Sequence, residues 1–229
     1  MRVRGVLFDF GNTLFAHAPL DATILAAAER LGSPMSPAAA RELAVRIDEA
    51  AAGEAEAVHR RDLDAAIWRA RWQHLYALDD ARLPGLGAAI YAAMHEPAQW
   101  RPFRDTAAVL GGLRDAGIKI GVLSNTGWDV RAAFAEHGLD ATVDSFTLSC
   151  EVGAAKPDRA IFAIACARLG VEPAAMLMVG DDARADSGAG SLGMPTLLIP
   201  PAAPGADNGL ALVLDLIAGG SARTGDRPR

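Results

Sequence analysis

Several residues that could do chemistry lie at the ends of short apolar runs of the sequence or in the loops that follow them. Asp9 follows Val-Leu-Phe and precedes a Gly-Asn pair, and later runs are followed by further polar groups, in the order Ser124 and Asn125, Lys156, then Asp181 and Asp182. Short apolar runs bounded by turn residues predict buried strands of a parallel sheet, and ligands of such sheets bind at the carboxyl ends of the strands. A nucleophilic carboxylate, a hydroxyl and amide, a lysine and an acidic pair together favour magnesium-assisted phosphoryl transfer.

Each of these signals also has a simpler explanation when it is taken alone. The Asp9 carboxylate could close an Asx-turn on the amides that follow it. The acids after Gly180 could stabilise a helix amino terminus, and Lys156 could be an exposed loop lysine. It is the combination of the four that favours a reactive site.

The four polar sites belong to four motifs that occur in the order FDFGNT, VLSN, AAKPD and GDDARAD. With this order and spacing the sequence resembles the haloacid dehalogenase-like (HAD) hydrolase superfamily, from the first strand to about Pro200. The long segment between the first two motifs is similar to the helical cap that one HAD subfamily carries there.

The resemblance implies roles for individual residues. Asp9 would be the nucleophile and a ligand of a Mg²⁺ cofactor, and the carbonyl of Gly11 would be a second ligand. The remaining ligands would come from Asp181 with either Asp182 or Asp186, and the sequence leaves that choice open. The residues that would contact the transferring phosphoryl group are Ser124, Asn125 and Lys156.

Gly11 departs from the family pattern, because HAD phosphatases usually carry a second aspartate two residues after the nucleophile. That aspartate protonates the leaving oxygen, and losing such a general acid costs about 10²–10⁴ in rate. We therefore expect substrates with good leaving groups, such as aryl or acyl phosphates, to be affected less than alkyl or sugar phosphates. His17 is the nearest candidate for a substitute acid; the alternative is an exposed loop histidine.

The elements that position these residues follow from the hydrophobic pattern. Strand-like runs alternate with helical segments in residues 1–15 and 100–218, which predicts an α/β core with a Rossmann-like parallel sheet. Residues 16–99 show only helical patterns and are predicted to form a helical cap domain. Its side chains Trp68, Trp72, Tyr76 and Met94 could line a substrate pocket or form the core of the bundle. Residues 219–229 are predicted to be a disordered tail.

Composition excludes several classes of function. The net charge of −6 and the lack of a basic stripe argue against nucleic acid as a partner. The sequence contains no apolar run long enough to span a membrane and no pattern typical of a signal peptide, so we expect a cytoplasmic protein. The two cysteines, Cys150 and Cys166, lack metal or redox spacing and are expected to be free thiols.

The sequence thus predicts a Mg²⁺-dependent phosphatase that acts on a small phosphorylated metabolite through an aspartyl-phosphate. The first alternative is a metal-independent 2-haloacid dehalogenase. The absence of the second aspartate favours this alternative, because dehalogenases of the family also lack it. The acidic GDDARAD loop argues against it, because a reaction without a metal ion has no use for a metal-binding loop. The second alternative is a catalytically silent HAD-fold protein with a binding or regulatory role. The substrate's identity and the choice between monomer and homodimer remain open.

Overall fold

The computed structural model of the chain describes residues 3–53 and 60–222. Its main element is a parallel sheet of five strands, β1 (Gly5–Phe8), β4 (Lys119–Ser124), β5 (Ser145–Leu148), β6 (Met176–Gly180) and β7 (Thr196–Leu198). The strand order is β5-β4-β1-β6-β7, so β1 lies at the centre. This arrangement confirms the predicted α/β fold with a Rossmann-like sheet.

The register of the sheet brings the predicted site together. Phe8 at the end of β1 pairs with Val122 of β4 on one side and with Val179 of β6 on the other. The next residues along the three strands therefore emerge at the same edge, and these include Asp9 and Ser124. Asp181 directly follows β6 and lies at that edge as well.

Alternating side chains of β1 face opposite sides of the sheet, because successive residues of a strand point in opposite directions. Val6 and Phe8 join one core cluster, and Leu7 joins the other. Helices cover both faces, as expected for a sheet whose strands are apolar on both sides. These helices are α5 (Thr106–Asp115), α6 (Arg131–Glu136), α7 (Ser149–Val152), α8 (Arg159–Leu169), α9 (Ala183–Asp186) and α10 (Leu212–Ala222).

A second, helical region lies between two short strands, β2 (Phe15–Ala16) and β3 (Arg101–Pro102), which pair antiparallel. Its α-helices in the described residues are α1 (Leu20–Arg30), α2 (Pro37–Ala52), α3 (Ala65–Tyr76) and α4 (Leu86–Met94). They share a hydrophobic core of their own that includes Ile24, Leu43, Ile47 and Ile90. The chain thus leaves the sheet along β2 and returns along β3. No helix in the described ranges is long and apolar enough to cross a membrane.

The predicted tail, residues 219–229, overlaps the end of the last helix of the structure. Helix α10 continues through Gly219 and ends at Ala222. Two glycines and a serine near its end lower helix propensity, which is why the sequence favoured an earlier stop. The rest of the predicted tail, residues 223–229, lies outside the described residues.

Candidate active site

Asp9 lies directly beyond β1 and forms an ion pair with Lys156. Its Oδ2 is 3.0 Å from the Lys156 Nζ, while its Oδ1 accepts a hydrogen bond of 2.7 Å from the backbone N–H of Phe10. Burial raises the pKa of Asp9 to about 6, although Lys156 acts against this shift and Asp186 adds to it. The carboxylate is therefore held in place but is costly to ionise.

Lys156 is a buried cation at the carboxyl ends of the strands, and its side chain is only 1% exposed. Its Nζ also donates to Oδ1 of Asp186 at 2.8 Å. Burial by itself lowers the pKa of Lys156, but Asp9 and Asp186 together outweigh it and raise the pKa. One ammonium group therefore bridges two carboxylates and remains charged.

Asp181 is held by the turn that follows Asp9. The hydroxyl of Thr13 donates to Asp181 Oδ1 at 3.3 Å, and the side chain of Asn12 forms a further hydrogen bond to the same carboxylate. Asn12 adopts a left-handed backbone conformation with a φ of 55°, which asparagine tolerates better than most residues. Burial raises the pKa of Asp181, and the Asn12 hydrogen bond acts in the opposite direction.

Asp9, Asp181 and Asp186 form a cluster of three carboxylates, here called the acidic cluster. Each residue offers one oxygen, and these oxygens lie within 4.8 Å of one another. Magnesium prefers oxygen ligands at 2.0–2.1 Å in octahedral geometry, which places adjacent ligands about 3 Å apart and opposite ones about 4 Å apart. The donor set of the acidic cluster fits such an ion with small side-chain adjustments.

The structure places Asp186, and not Asp182, in the acidic cluster. Asp186 is fully buried, and its Oδ2 accepts from the backbone N–H of Asp182 at 3.0 Å. The exposed Asp182 carboxylate instead caps α9 by accepting from the N–H groups of Arg184 and Ala185. Gly180 makes the burial of Asp186 feasible, because a Cβ at Gly180 would overlap the Asp186 carboxylate. This geometry favours Asp186 over Asp182 for the role that the sequence left open, and metal ligation by either residue stays a prediction.

Asn125 positions the loop that carries Lys156. Its side-chain amide donates to the Lys156 carbonyl at 2.8 Å, and its side-chain oxygen accepts from the Lys156 N–H at 2.7 Å. This two-point contact joins the end of β4 to the lysine loop across 31 residues of sequence. Ser124 and Asn125 both line the cavity described next, as does Gly11, and direct contact with a substrate stays a prediction for the first two. Metal ligation by the Gly11 carbonyl likewise stays a prediction.

A cavity of about 350 Å³ opens above the acidic cluster, between the sheet edge and the helical region. Its volume is in the range of small-molecule sites. Its charged and strongly polar lining residues include Asp9, Ser124, Asn125, Lys156, Asp181 and Asp182. Its aromatic lining residues, here called the aromatic wall, are Phe10, Trp68, Trp72, Tyr76, Trp100 and Trp128. All four tryptophans of the chain therefore line this one cavity.

The aromatic wall comes from both parts of the molecule. Trp68 and Trp72 lie on α3, whereas Trp128 lies in the loop after β4. Helix α3 approaches that loop very closely at Gly127, where an added Cβ would overlap Cβ and Cγ of Trp68. The helical region also contacts the core where the hydroxyl of Ser149 donates to the carbonyl of Asp62. Both contacts hold the helical region against the cavity.

His17 does not occupy the position of a substitute acid. Its two ring nitrogens face backbone carbonyls, Nδ1 at 2.9 Å from Ala18 and Nε2 at 3.2 Å from Ala93. It is not among the described residues that line the cavity. The hypothesis that His17 replaces the missing aspartate is therefore not supported, because its nitrogens are directed away from the reacting groups.

His95 lines the cavity, which the sequence did not indicate. Its Nε2 accepts from the indole N–H of Trp68 at 2.9 Å, and its Nδ1 lies 2.8 Å from the carbonyl of Tyr91. These partners fix the tautomer with the proton on Nδ1. Burial lowers the pKa of His95, so the ring is neutral and serves to orient Trp68.

Gly11 faces an indole ring where the family usually has a carboxylic acid. A Cβ added at Gly11 would lie 3.7 Å and 3.8 Å from two ring carbons of Trp100, which are ordinary contact distances. The Trp100 ring is fixed by a 3.0 Å hydrogen bond from its Nε1 to the carbonyl of Met94 and by a tilted contact with the ring of Phe10, with centroids 4.8 Å apart and an interplanar angle of 43°. The site therefore has space for a side chain at position 11 but lacks the acid.

Sequence reasoning missed Trp100, Trp128, His95 and the support of Asp181 by Asn12 and Thr13. Trp128 is four residues beyond Ser124 and Trp100 directly precedes the returning strand, so their places next to the motifs were the available signal. His95 had no such signal, because α4 reaches the cavity only through helix packing. The predicted candidates Trp68, Trp72, Tyr76 and Met94 all line the cavity. The alternative also holds in part, because Tyr76 belongs to the core of the helical region and Trp72 and Met94 pack against that core.

The comparisons with known proteins agree with this geometry. The sequence model of the haloacid dehalogenase-like hydrolases matches residues 3–192. The chain belongs to this family. A curated relative from Halopiger xanaduensis, ribulose-1,5-bisphosphate 5-phosphatase, is 31% identical over 212 residues, which cover 86% of this chain and 84% of that protein.

Two further matches show the breadth of the HAD-like family. (S)-2-haloacid dehalogenase 4A from Burkholderia cepacia is 33% identical over 125 residues, 54% of this chain and 52% of that protein. A solved structure described as a HAD phosphatase from Thermococcus onnurineus superposes with a TM-score of 0.62 at 27% identity, covering 96% of this chain and 99% of that one. The relatives therefore include both phosphatases and a dehalogenase.

Proposed function

We propose that this HAD-like hydrolase is a magnesium-dependent phosphatase that acts on a small phosphate monoester through an aspartyl-phosphate on Asp9. The observation that carries the proposal is the acidic cluster beside Lys156. Three carboxylates face one ammonium group, so the cluster carries an excess of negative charge when all three are ionised. A divalent cation would balance this charge and supply electrostatic stabilisation for an incoming phosphate.

The residues of the chain have distinct roles in the proposed reaction. The Asp9 carboxylate bonds to phosphorus while the bond from phosphorus to the ester oxygen breaks, and that oxygen leaves with the electron pair. Lys156 keeps Asp9 oriented and adds positive charge, and Asn125 holds the Lys156 loop in register. Water then attacks the aspartyl-phosphate, which releases inorganic phosphate and restores Asp9, with the surplus proton passing to solvent.

We also propose that the helical region, for which the sequence predicts the bounds 16–99, acts as the cap of the site. Helix α3 lines the cavity through Trp68 and Trp72, and His95, which directly follows α4, lines it as well. A cap in this position would exclude water from the nucleophile and set the shape of the substrate site. Specificity would therefore depend on residues outside the four motifs.

The alternative hypothesis, a dehalogenase, is supported by Gly11, which replaces the second aspartate of the phosphatases, and by the similarity to the Burkholderia enzyme. In that reaction Asp9 would attack carbon, and the substrate would be a carboxylate. A second observation weighs against it. Among the described residues lining the cavity, Lys156 is the one lysine or arginine, and it already contacts two carboxylates of the acidic cluster. Without a metal ion, the carboxylate of a haloacid would enter a site with excess negative charge, so we favour the metal-dependent phosphatase.

The test is hydrolysis of p-nitrophenyl phosphate with Mg²⁺ and after chelation, alongside chloride release from 2-chloropropionate without metal. We expect metal-dependent phosphate release that falls by at least about a thousandfold in Asp9→Asn. Calorimetric titration with Mg²⁺ should show binding lost in Asp186→Asn and kept in Asp182→Asn, since asparagine can still cap α9. Metal-independent chloride release would overturn the proposal in favour of the dehalogenase, and inactivity in both assays would favour a binding role.

A further inference from the structure

The aromatic wall offers ring surfaces, and two of its four indole N–H groups are hydrogen-bonded within the protein, while that of Trp72 is buried without a partner among the described residues. The indole N–H of Trp68 is committed to His95, and that of Trp100 is committed to the Met94 carbonyl. Both nitrogens of His95 are engaged, with Trp68 and Tyr91. A sugar hydroxyl placed against these engaged groups would lose its hydrogen bonds to water without regaining them, which costs about 1–3 kcal/mol per buried polar group.

A planar apolar group suits the same wall. Indole rings bury a large area and interact favourably with another aromatic ring in offset-stacked or edge-to-face arrangements. Trp100 and Trp128 lie with their centroids 6.0 Å apart, and both contact Phe10, which directly follows the nucleophile. The aromatic wall thus begins next to the reacting carboxylate.

The missing acid at position 11 restricts the leaving group independently. A phenol has a pKa of about 10, as in tyrosine, so its oxygen can leave as the anion. An alkoxide is roughly as basic as hydroxide, whose conjugate acid has a pKa of about 16, and it needs a proton donor. Near Gly11 the structure places the Trp100 ring, and His17 faces backbone carbonyls. The geometry therefore favours leaving groups of low basicity.

We propose that the substrates are phosphate monoesters of phenol-type alcohols, with the aryl ring held against Trp100 and Trp128 and the phosphate directed at Asp9. The proposal rests on the proposed phosphatase function and narrows its substrate class. In the first step the bond from Asp9 to phosphorus forms, the bond from phosphorus to the aryl oxygen breaks, and the phenolate leaves and takes a proton from solvent. The second step is the hydrolysis described above.

Binding can be measured without turnover by using phosphonates, in which a carbon–phosphorus bond replaces the ester. In the presence of Mg²⁺ we expect phenylphosphonate to bind at least about tenfold more tightly than methylphosphonate by calorimetry. Because every tryptophan of the chain lines this cavity, a change in tryptophan fluorescence with phenylphosphonate would place the ring at the aromatic wall. Equal affinities, or phenylphosphonate binding without a fluorescence change, would overturn the proposal.

Turnover separates the effect of the ring from that of the leaving group, with phenyl phosphate, acetyl phosphate and glycerol 3-phosphate as substrates. Acetyl phosphate has a weakly basic leaving group but no ring. We expect the kcat/KM ratio of phenyl to acetyl phosphate to fall about tenfold in Trp100→Ala and Trp128→Ala and to recover in the phenylalanine variants. Val45→Ala, at an exposed position of α2, is the control and should keep the ratio.

The outcomes distinguish the two proposals. If none of the three substrates is hydrolysed with Mg²⁺, the phosphatase function itself is wrong. If acetyl phosphate and glycerol 3-phosphate are hydrolysed with the same kcat/KM as phenyl phosphate, the phosphatase function stands and the aryl specificity is wrong. A ratio that does not change in either tryptophan variant also overturns the aryl specificity, and a preference for phenyl phosphate that depends on both rings supports it.

Discussion

At the scale of single residues, a substitution at Gly11 can show whether the general acid is the only catalytic group that the site lacks. A Cβ is tolerated at this position, because it would make ordinary contacts with Trp100 and the backbone needs no positive φ. We expect Gly11→Asp to raise kcat on glycerol 3-phosphate by roughly ten- to a hundredfold, below the full value of a well-placed acid. Substrates with weakly basic leaving groups should gain little.

The matched control for this substitution is Gly11→Asn, which has the same size but cannot donate a proton as an acid. Steady-state kinetics of both variants on the same alkyl and aryl phosphates would separate acid catalysis from a change in cavity shape. An equal gain in the two variants would mean that filling the space, and not the proton, limits the native enzyme. No gain in either would mean that leaving-group protonation does not limit turnover.

At the scale of elements, helix α3 and the loop after β4 meet at Gly127. Any larger residue there must displace Trp68 at its Cβ, which is set by the helix backbone and cannot rotate away. Gly127→Ala should therefore move α3 away from the loop, at a cost of about 1–3 kcal/mol in the free energy of unfolding. We expect kcat/KM to fall together with a red-shifted tryptophan emission, because Trp68 becomes more exposed to water.

The control for this prediction is Gly111→Ala. Gly111 lies inside α5, and a Cβ there would meet no atom within 4 Å. Alanine should stabilise that helix by up to about 1 kcal/mol and leave the emission spectrum unchanged. If Gly127→Ala kept the native spectrum and kcat/KM, the close approach of the helical region would have no part in forming the substrate site.

The sheet and the motif residues could be predicted from sequence because the signals were local. An apolar run followed by Asp9 or Asp181 indicates a strand and the polar edge beyond it, and the structure confirms this arrangement. The choice between Asp182 and Asp186 was not local, since it depends on the contact with Lys156 and on the space left by Gly180. His95 was missed for the same reason, because packing between the helical region and the core brings it to the cavity.

At the scale of the whole molecule, the acidic cluster should reduce stability when no cation is bound. The folded-state pKa of Asp9 is about 6, above its ordinary 3.8. Between about pH 4 and pH 6, Asp9 therefore holds its proton in the folded protein but has already released it in the unfolded chain. This contribution to stability is complete below about pH 4 and is lost as the pH rises through about 6, with a size on the order of 1–3 kcal/mol.

Asp9→Asn should imitate the protonated carboxyl at every pH. In chelator, thermal unfolding should show Asp9→Asn to be more stable than the native protein at pH 8, with a difference that shrinks as the pH is lowered to 5. Added Mg²⁺ should raise the melting temperature of the native protein and of Asp182→Asn at pH 8, because binding to the folded state stabilises it. Asp9→Asn should gain much less. If the stability difference were the same at pH 5 and pH 8, the charge on Asp9 would not be the cause of the reduced stability. The excess charge of the acidic cluster would then give no reason to bind a cation.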